Sequence, residues 1–484
     1  MKTLIKFGLS LTIILMSLLL LIIYMLMPPN IPVPPSEARK LVNVAIYNPG
    51  EQIQTNQTII IDDGIIVDIR PSTPDEKNTL CENCFAMPGL IDAHVHTPPS
   101  IAIGNRELFS LLFLQHGVTT IRDLGQLDDD LPNLVKRLNT GKLVGPRMYY
   151  CGRILDGNPP SIPGAVLIEN AEDGRRAVAE HAKQGVDCIK IYGNLSADAF
   201  IGVSNEANRL NLPLTGHTPR ALSFHNIRNF ESQHYTGIPY LSFPAPKGWA
   251  YKSQDLISMA PSYVDSVLEV MSSNNISFLP TNANNRSRLT VSDPDRFPAS
   301  PGFRHMPNFW ETTWPSIVSH PETDAEIETE LEAAPVALAF IKKAHERGVD
   351  VLVGTDVIMP YVIPGESIHQ QLELISKALE SDEKALRAAT FTNGQHIDSG
   401  KIGEISIGAY ADMLLFKQDP RGNLAAIQNW DYALIGGRLY HREDIDNAVE
   451  RYDRHFQGRI YNTVMNMAYR IVGTGYENSE VSKR

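Results

Sequence analysis

The chain has 484 residues, enough for one large domain plus smaller pieces. Its hydrophobic fraction of 43% is ordinary for a globular protein. The formal net charge of −12 argues against a nucleic-acid partner, which calls for a basic face.

The N-terminus does not read as globular. Residues 1–6 are short and basic, and residues 8–27 follow without a charge. That length is about what a helix needs to cross a bilayer. A cleaved signal peptide would have a shorter apolar core, about 7–15 residues, ending at a small-x-small site. Residues 21–28 contain no such site. Residues 1–27 therefore read as an uncleaved, single-pass membrane anchor. Lys2 and Lys6 would keep the start in the cytoplasm and leave the bulk of the protein on the extracytoplasmic side. Residues 28–37, with five prolines, read as an extended spacer.

Residues 38–88 read as all-β. Residues 41–47 alternate in polarity, and residues 57–68 read as a hairpin turned at Asp62-Asp63-Gly64. A similar stretch returns at 401–443, so the two ends of the chain are expected to pair as a small β-sandwich. Between them, residues 89–400 alternate short strands with amphipathic helices, the pattern of a parallel sheet. Eight candidate strands cover 90–96, 118–123, 147–151, 186–192, 213–217, 230–234, 276–280 and 350–356. The expected fold class is α/β, a (β/α)8 TIM-like barrel with its site at the C-terminal strand ends. A doubly wound open sheet is the rival, but no Gly-rich phosphate loop follows the first strand.

Two stretches break the rhythm. Residues 281–321 form a long connection carrying Phe297, Phe303, Phe309, Trp310 and Trp314, which reads as a lid or pocket wall. Residues 444–484 hold a C-terminal helix over 444–472 and a tail that reads as disordered from Gly473. Packing on the barrel or contact with a second copy, giving a homo-oligomer, are both open for that helix. The four cysteines allow three full pairings. A local Cys81–Cys84 disulfide and ordinary buried thiols at Cys151 and Cys188 both remain open.

The chemistry-bearing residues fall at strand ends. His94 and His96 lie two residues apart, so on a strand they point the same way and can grip one metal ion. Lys190 lies inside a β-branched strand, where a lysine is costly unless paired. Burial lowers an amine's pKa, and a neutral amine can take up carbon dioxide as a carbamate. His217 and His234 end the next two strands, and Asp356 ends the eighth. Asp356 alone would read equally well as a helix cap. A His-rich site with carboxylate partners suits zinc.

Pro88-Gly-Leu-Ile-Asp-Ala-His-Val-His96 resembles the first-strand motif of the amidohydrolase superfamily, metal-dependent hydrolases on a (β/α)8 barrel. Gly185-Val-Asp-Cys-Ile-Lys-Ile191 resembles the carboxylated-lysine motif of its binuclear members. Gly408-Ala-Tyr-Ala-Asp412 resembles its C-terminal motif. Residues 116–125, 365–372 and 386–393 resemble the imidazolonepropionase-related group that contains prolidase-like (Xaa-Pro) dipeptidases. The resemblance implies two divalent metal ions, one held by His94, His96, Lys190 and Asp356, the other by Lys190, His217 and His234. It implies a carboxylated Lys190 as the bridge, a hydroxide between the ions, and Asp356 as the catalytic proton carrier. One departure is Gln233, where these relatives carry glutamate.

Tyr192 and Arg122 are candidates for a substrate carboxylate, with a structural ion pair the stronger reading of Arg122. The expected activity is hydrolysis of C–N amide bonds in dipeptides or N-acyl amino acids. A cyclic amidase or lactonase would use the same centre. A membrane-tethered binding protein without catalysis is the alternative of another class.

Overall fold

The computed structural model describes residues 2–29, 33, 35–76, 80, 83–125, 130–162, 164–241, 253–314 and 322–477. Among the described residues seventeen strands are present: β1 (Ser36–Glu37), β2 (Lys40–Ile46), β3 (Gln54–Asp62), β4 (Ile65–Pro71), β5 (Phe85–Pro88), β6 (Leu90–Val95), β7 (Val118–Asp123), β8 (Arg147–Tyr150), β9 (Leu155–Asp156), β10 (Val166–Leu167), β11 (Ile189–Ile191), β12 (Leu214–Gly216), β13 (Phe230–Gln233), β14 (Ile276–Leu279), β15 (Met413–Phe416), β16 (Tyr432–Ile435) and β17 (Arg438–His441).

Both chain ends build one eight-stranded sheet, in the order β1-β17-β16-β15-β5-β2-β3-β4. The β3–β4 hairpin turns through Asp63 (φ 47) and Gly64 (φ 75), both left-handed, as a tight hairpin requires. Ile59, Ile61 and Ile66 from this hairpin share a buried cluster with Met413, Leu415 and Leu434 from the far end of the sequence. Alternation along each strand puts these residues on one face, and their burial joins the two ends.

The middle of the chain forms two parallel sheets, β10-β9-β11-β12-β13-β14 and β6-β7-β8. Every residue of β6, β7, β8, β11, β12, β13 and β14 is buried, as expected for strands covered on both faces. Hydrogen bonds cross the gaps between the sheets. Asp187 N donates to Tyr150 O at 2.8 Å, next to β8. On the other side, residues 350–357 run between β14 and β6 through bridges Phe278–Val351 and Val95–Val357. The eighth expected strand lies there, without a continuous ladder. Asp356, at φ 63, turns its end out of the extended conformation.

Several expectations are corrected. The first is the single-pass anchor over residues 1–27 and, with it, the extracytoplasmic placement. Among the described residues no helix is long and apolar enough to cross a membrane. The helix Lys2–Leu26 ends on the body of the protein instead. Leu26 is 6% exposed inside the main core and Ile22 packs against that core. Hydropathy scores an apolar run alike wherever it lies; here only its end is covered, and Ile13, Leu18 and Leu21 stay 52–56% exposed. The 281–321 stretch is not a bare loop either. It holds the helices Asn282–Ser292, Pro301–His305 and Asn308–Thr313. Phe309, Trp310 and Trp314 are buried in the core, and residues 315–321 lie outside the described residues.

The C-terminal helix is two helices, Arg442–Phe456 and Arg459–Glu477. Ile445, Ala448, Val449, Tyr452 and Phe456 are buried within this one chain. That face is consumed by packing and not left for a second copy. The tail expected to be disordered from Gly473 is helical to Glu477, and its last residues lie outside the described range. Cys151 and Cys188 form a disulfide between adjacent strand ends, where ordinary thiols were one of the open readings. Cys84 is also disulfide-bonded, and Cys81 lies outside the described residues.

Candidate metal centre

The strand ends bring the six expected ligands into one buried neighbourhood. Nε2 of His94 and Nε2 of His96 lie 3.3 Å apart. Asp356 Oδ1 is 3.1 Å from the first and 3.2 Å from the second. One ligand atom from each of the three lies within 4.8 Å of the others, a spacing a single cation can fill. Gly354 makes this approach possible, because a Cβ there would sit 2.7 Å from the His94 Cβ.

The remaining imidazoles close the other side. The His94 and His234 ring centroids are 5.3 Å apart, and those of His217 and His234 are 5.1 Å apart. His234 Nε2 reaches to 3.8 Å from Asp356 Oδ2. Tyr192 stacks on His217 at 4.1 Å with an interplanar angle of 11°. His234 (φ 55) and Asp356 (φ 63) both hold left-handed backbone without being glycine. Such conformations cost of order 1–3 kcal/mol each and persist where surrounding contacts impose them.

Outer partners orient the rings. His96 Nδ1 lies 2.8 Å from the Gly125 carbonyl, so it carries the proton and leaves the Nε2 lone pair toward the centre. His234 Nδ1 is 2.6 Å from Thr281 Oγ1. Asp92, fully buried beneath His94, accepts from Thr355 N at 3.0 Å and Thr355 Oγ1 at 2.6 Å. Burial raises its carboxyl to about 7 against these hydrogen bonds.

Lys190 is 0% exposed and its Nζ has no hydrogen-bond partner. Burial lowers its amine to about 7, against the opposing pull of the Asp356 and Glu231 carboxylates. His217 Nε2 and His94 Nδ1 are likewise buried without partners. Burial pushes His94 and His217 well below the usual imidazole range, and His234 to about 4. For His96, burial acts downward but the Asp356 hydrogen bond and charge outweigh it, and its pKa rises. Burial would raise Asp356, yet the charge of His94 and the bonds from both histidines hold it well below the carboxylate range. Neutral imidazoles at His94, His217 and His234, an ionised carboxylate and unpartnered buried nitrogens form a donor set that fits divalent metal.

The other expected residues divide. Tyr192 lies at the centre. Arg122 does not reach it: its Nη2 donates to both Glu231 oxygens, at 2.6 and 2.8 Å, and its Nε to the Ala93 carbonyl at 3.0 Å. Gln233 Nε2 donates to Thr215 Oγ1 at 2.7 Å and to Glu231 Oε1 at 3.3 Å, so the carboxylate of this strand is Glu231 and it serves Arg122. His369 Nε2 lies 2.9 Å from the His116 carbonyl, in helix packing. Sequence reasoning missed Thr281 and Asn284, whose Nδ2 donates to Asp356 Oδ2 at 2.9 Å. Neither belongs to a motif. The only hint was their place just after the seventh strand.

Residues 85–241 match the model of the amidohydrolase family. An uncharacterized protein of Mycobacterium bovis is 23% identical over 394 residues, spanning 78% of this chain and 91% of its own. Bottromycin amidohydrolase superposes with a TM-score of 0.67 at 19% identity, over 89% of this chain and 95% of its own. A Xaa-Pro dipeptidase with bound methionine in the active site gives 0.60 at 19% identity, over 83% and 99%. A prolidase complexed with N-methylphosphonate-L-proline gives 0.58 at 19% identity, over 83% and 99%. Residues 85–241, from β5 to β13, are thus similar to the amidohydrolase family, and the chain shares its fold with prolidase-like structures over most of its length.

Proposed function

We propose that this protein is a metal-dependent hydrolase of C–N amide bonds, acting on dipeptides or N-acyl amino acids. The observation that carries it is the meeting of His94, His96 and Asp356 beside a fully buried lysine with an unpartnered Nζ. The two parallel sheets are then arcs of one (β/α)8 barrel over 89–400, with 38–88 and 401–443 as its β-sandwich domain.

His94, His96, Asp356 and Lys190 would hold one ion, and Lys190, His217 and His234 the second. Zinc suits these donors. Lys190 fits a carbamate because burial lowers its amine to about 7, which puts a large share in the neutral form at neutral pH. The free amine adds carbon dioxide and loses a proton, which gives a carboxylate with two oxygens. Divalent ions bound there polarise a carbonyl and supply a nucleophile at neutral pH. Asp356 takes the proton from the attacking water and passes it to the leaving amine. Tyr192, stacked on His217, forms a wall of the substrate pocket. The bound methionine of one structural neighbour and the proline analogue of another support a small amide substrate.

The test is a hydrolysis screen over Xaa-Pro dipeptides, other dipeptides, N-acyl amino acids and lactones, with metal counted per chain. Amide cleavage that disappears with chelator and returns with zinc is expected. Cleavage that survives metal removal, or turnover of lactones alone, overturns the reading.

A further inference from the structure

The candidate ligands come from two sheets that share no ladder. β6, β7 and β8 form one sheet and β11 lies in the other, and no strand pairing joins β8 to β11 among the described residues. His94 and His96 belong to β6 and its end, whereas Lys190 belongs to β11. An ion shared by His94, His96 and Lys190 straddles the seam between the sheets. The width of that seam sets whether the donors meet.

The Cys151–Cys188 disulfide closes this seam covalently. Cys151 directly follows β8 and Cys188 directly precedes β11, with Cα atoms 4.4 Å apart. Two hydrogen bonds lie beside it, from Asp187 N to Tyr150 O at 2.8 Å and from Tyr150 N to Asp187 Oδ2 at 2.9 Å. Cys188 comes two residues before Lys190, so in extended chain both side chains leave on one side. The other arm reaches His96. Cys151 and Cys188 are 0% and 1% exposed and form a buried cluster with Leu124. The neighbours of Leu124 hold the His96 segment: Asp123 Oδ2 accepts from Thr97 N at 2.7 Å, and the Gly125 carbonyl lies 2.8 Å from His96 Nδ1. One covalent bond thus braces ligand-bearing segments on both sides of the seam.

Two thiols need more room than one disulfide, because the sulfurs part from bonding to van der Waals distance. In a close-packed, fully buried cluster that room comes from movement of the strands. We propose that the Cys151–Cys188 disulfide is coupled to the metal centre: oxidised, it holds Lys190 within reach of the ion at His94 and His96, and reduced, it lets the seam widen and weakens metal binding. The inference rests on the metal-centre reading. A phosphine carries out the reduction in balanced form. It attacks one sulfur, the S–S bond breaks, and water supplies the oxygen of the phosphine oxide and the two thiol protons. Linkage makes the coupling reciprocal, so bound metal favours the disulfide by the factor with which the disulfide favours metal.

The test uses the full chain and zinc. Against a competing fluorescent chelator, Cys151→Ala/Cys188→Ala should bind zinc about tenfold more weakly than wild type, within the usual range of coupling between sites. Cys84 is also disulfide-bonded, but within the buried cluster of the eight-stranded sheet, and Cys84→Ala should keep wild-type affinity. On the wild-type chain, phosphine reduction is followed by mapping the thiols on each peptide. Zinc should slow the loss of the Cys151–Cys188 bond by about tenfold and leave the bond of Cys84 unaffected. A folded double variant with wild-type affinity overturns the proposal. Zinc that slows both bonds equally, as general stabilisation would, or slows neither, also overturns it. These rates decide alone if the double variant does not fold. Coupled zinc binding without any amide cleavage leaves the proposal standing and removes the hydrolase reading. Amide cleavage by a chain whose zinc affinity ignores the disulfide removes the coupling alone.

Discussion

Asn284 Nδ2 donates a hydrogen bond to Asp356 Oδ2 at 2.9 Å, linking the start of the helix Asn282–Ser292 to the end of the eighth strand segment. Ionised Asp356 can only accept, which fixes the NH2 end of the amide toward it, while Ser287 Oγ donates to the Asn284 backbone carbonyl at 2.7 Å. The other Asp356 oxygen faces His94 and His96. Asn284 therefore orients the carboxylate without being a ligand. Asn284→Ala should lower kcat about tenfold, the scale of a hydrogen bond to a charged group, with KM nearly unchanged and full metal content. Metal loss on a par with His96→Ala would show that the contact holds the ligand in place and not its orientation for proton transfer.

Lys190 predicts a pH dependence for the metal-free protein. Its folded pKa, about 7, is depressed from 10.5. Between those values the unfolded chain binds a proton that the folded chain does not. Stability therefore rises with pH from about 7 toward 10, by up to about 1.4 kcal/mol per unit, and is lost as pH falls back toward 7. Urea unfolding of chelated protein across this window should show the slope, and Lys190→Met should remove it. Equal slopes in both proteins would mean that Lys190 is not buried as an amine.

The proposed carbamate on Lys190 predicts a kinetic signature. Reconstitution of metal-free protein with zinc should accelerate when bicarbonate is added, because the bridge closes only after carboxylation. Lys190→Arg should show no acceleration and bind fewer ions, since guanidinium stays protonated. Bicarbonate without effect on wild-type recovery would count against a carbamate.

The aromatic stretch after the seventh strand predicts a stability effect. Trp310 is 2% exposed, and its Nε1 donates to Asn105 Oδ1 at 2.9 Å. It packs 5.0 Å from Phe309 and 6.1 Å from Phe109, centroid to centroid. Trp310→Ala should cost about 3–5 kcal/mol on unfolding. Substrate preference of the folded fraction should be unchanged. Altered preference with unchanged stability would return this segment to the role of a lid.

Much of the centre was legible because its signals are local. Two-residue spacing puts His94 and His96 on one side of a strand. A lysine amid β-branched residues marks a special environment. His217, His234 and Asp356 each end an apolar run, and seven of the eight expected strands lie where periodicity put them. What the sequence could not carry depends on contacts far apart in the chain. Asn284 meets Asp356 across 72 residues, and Arg122 meets Glu231 across 109. Only that second pairing removes Arg122 from the substrate's reach. The apolar N-terminal run and the aromatic stretch show the same limit: Leu26 and Trp310 are buried in the core, while Ile13 and Leu20 stay 56% and 63% exposed. Hydropathy and aromatic content state that a segment will leave water, whereas its neighbours in three dimensions decide what it will be buried against.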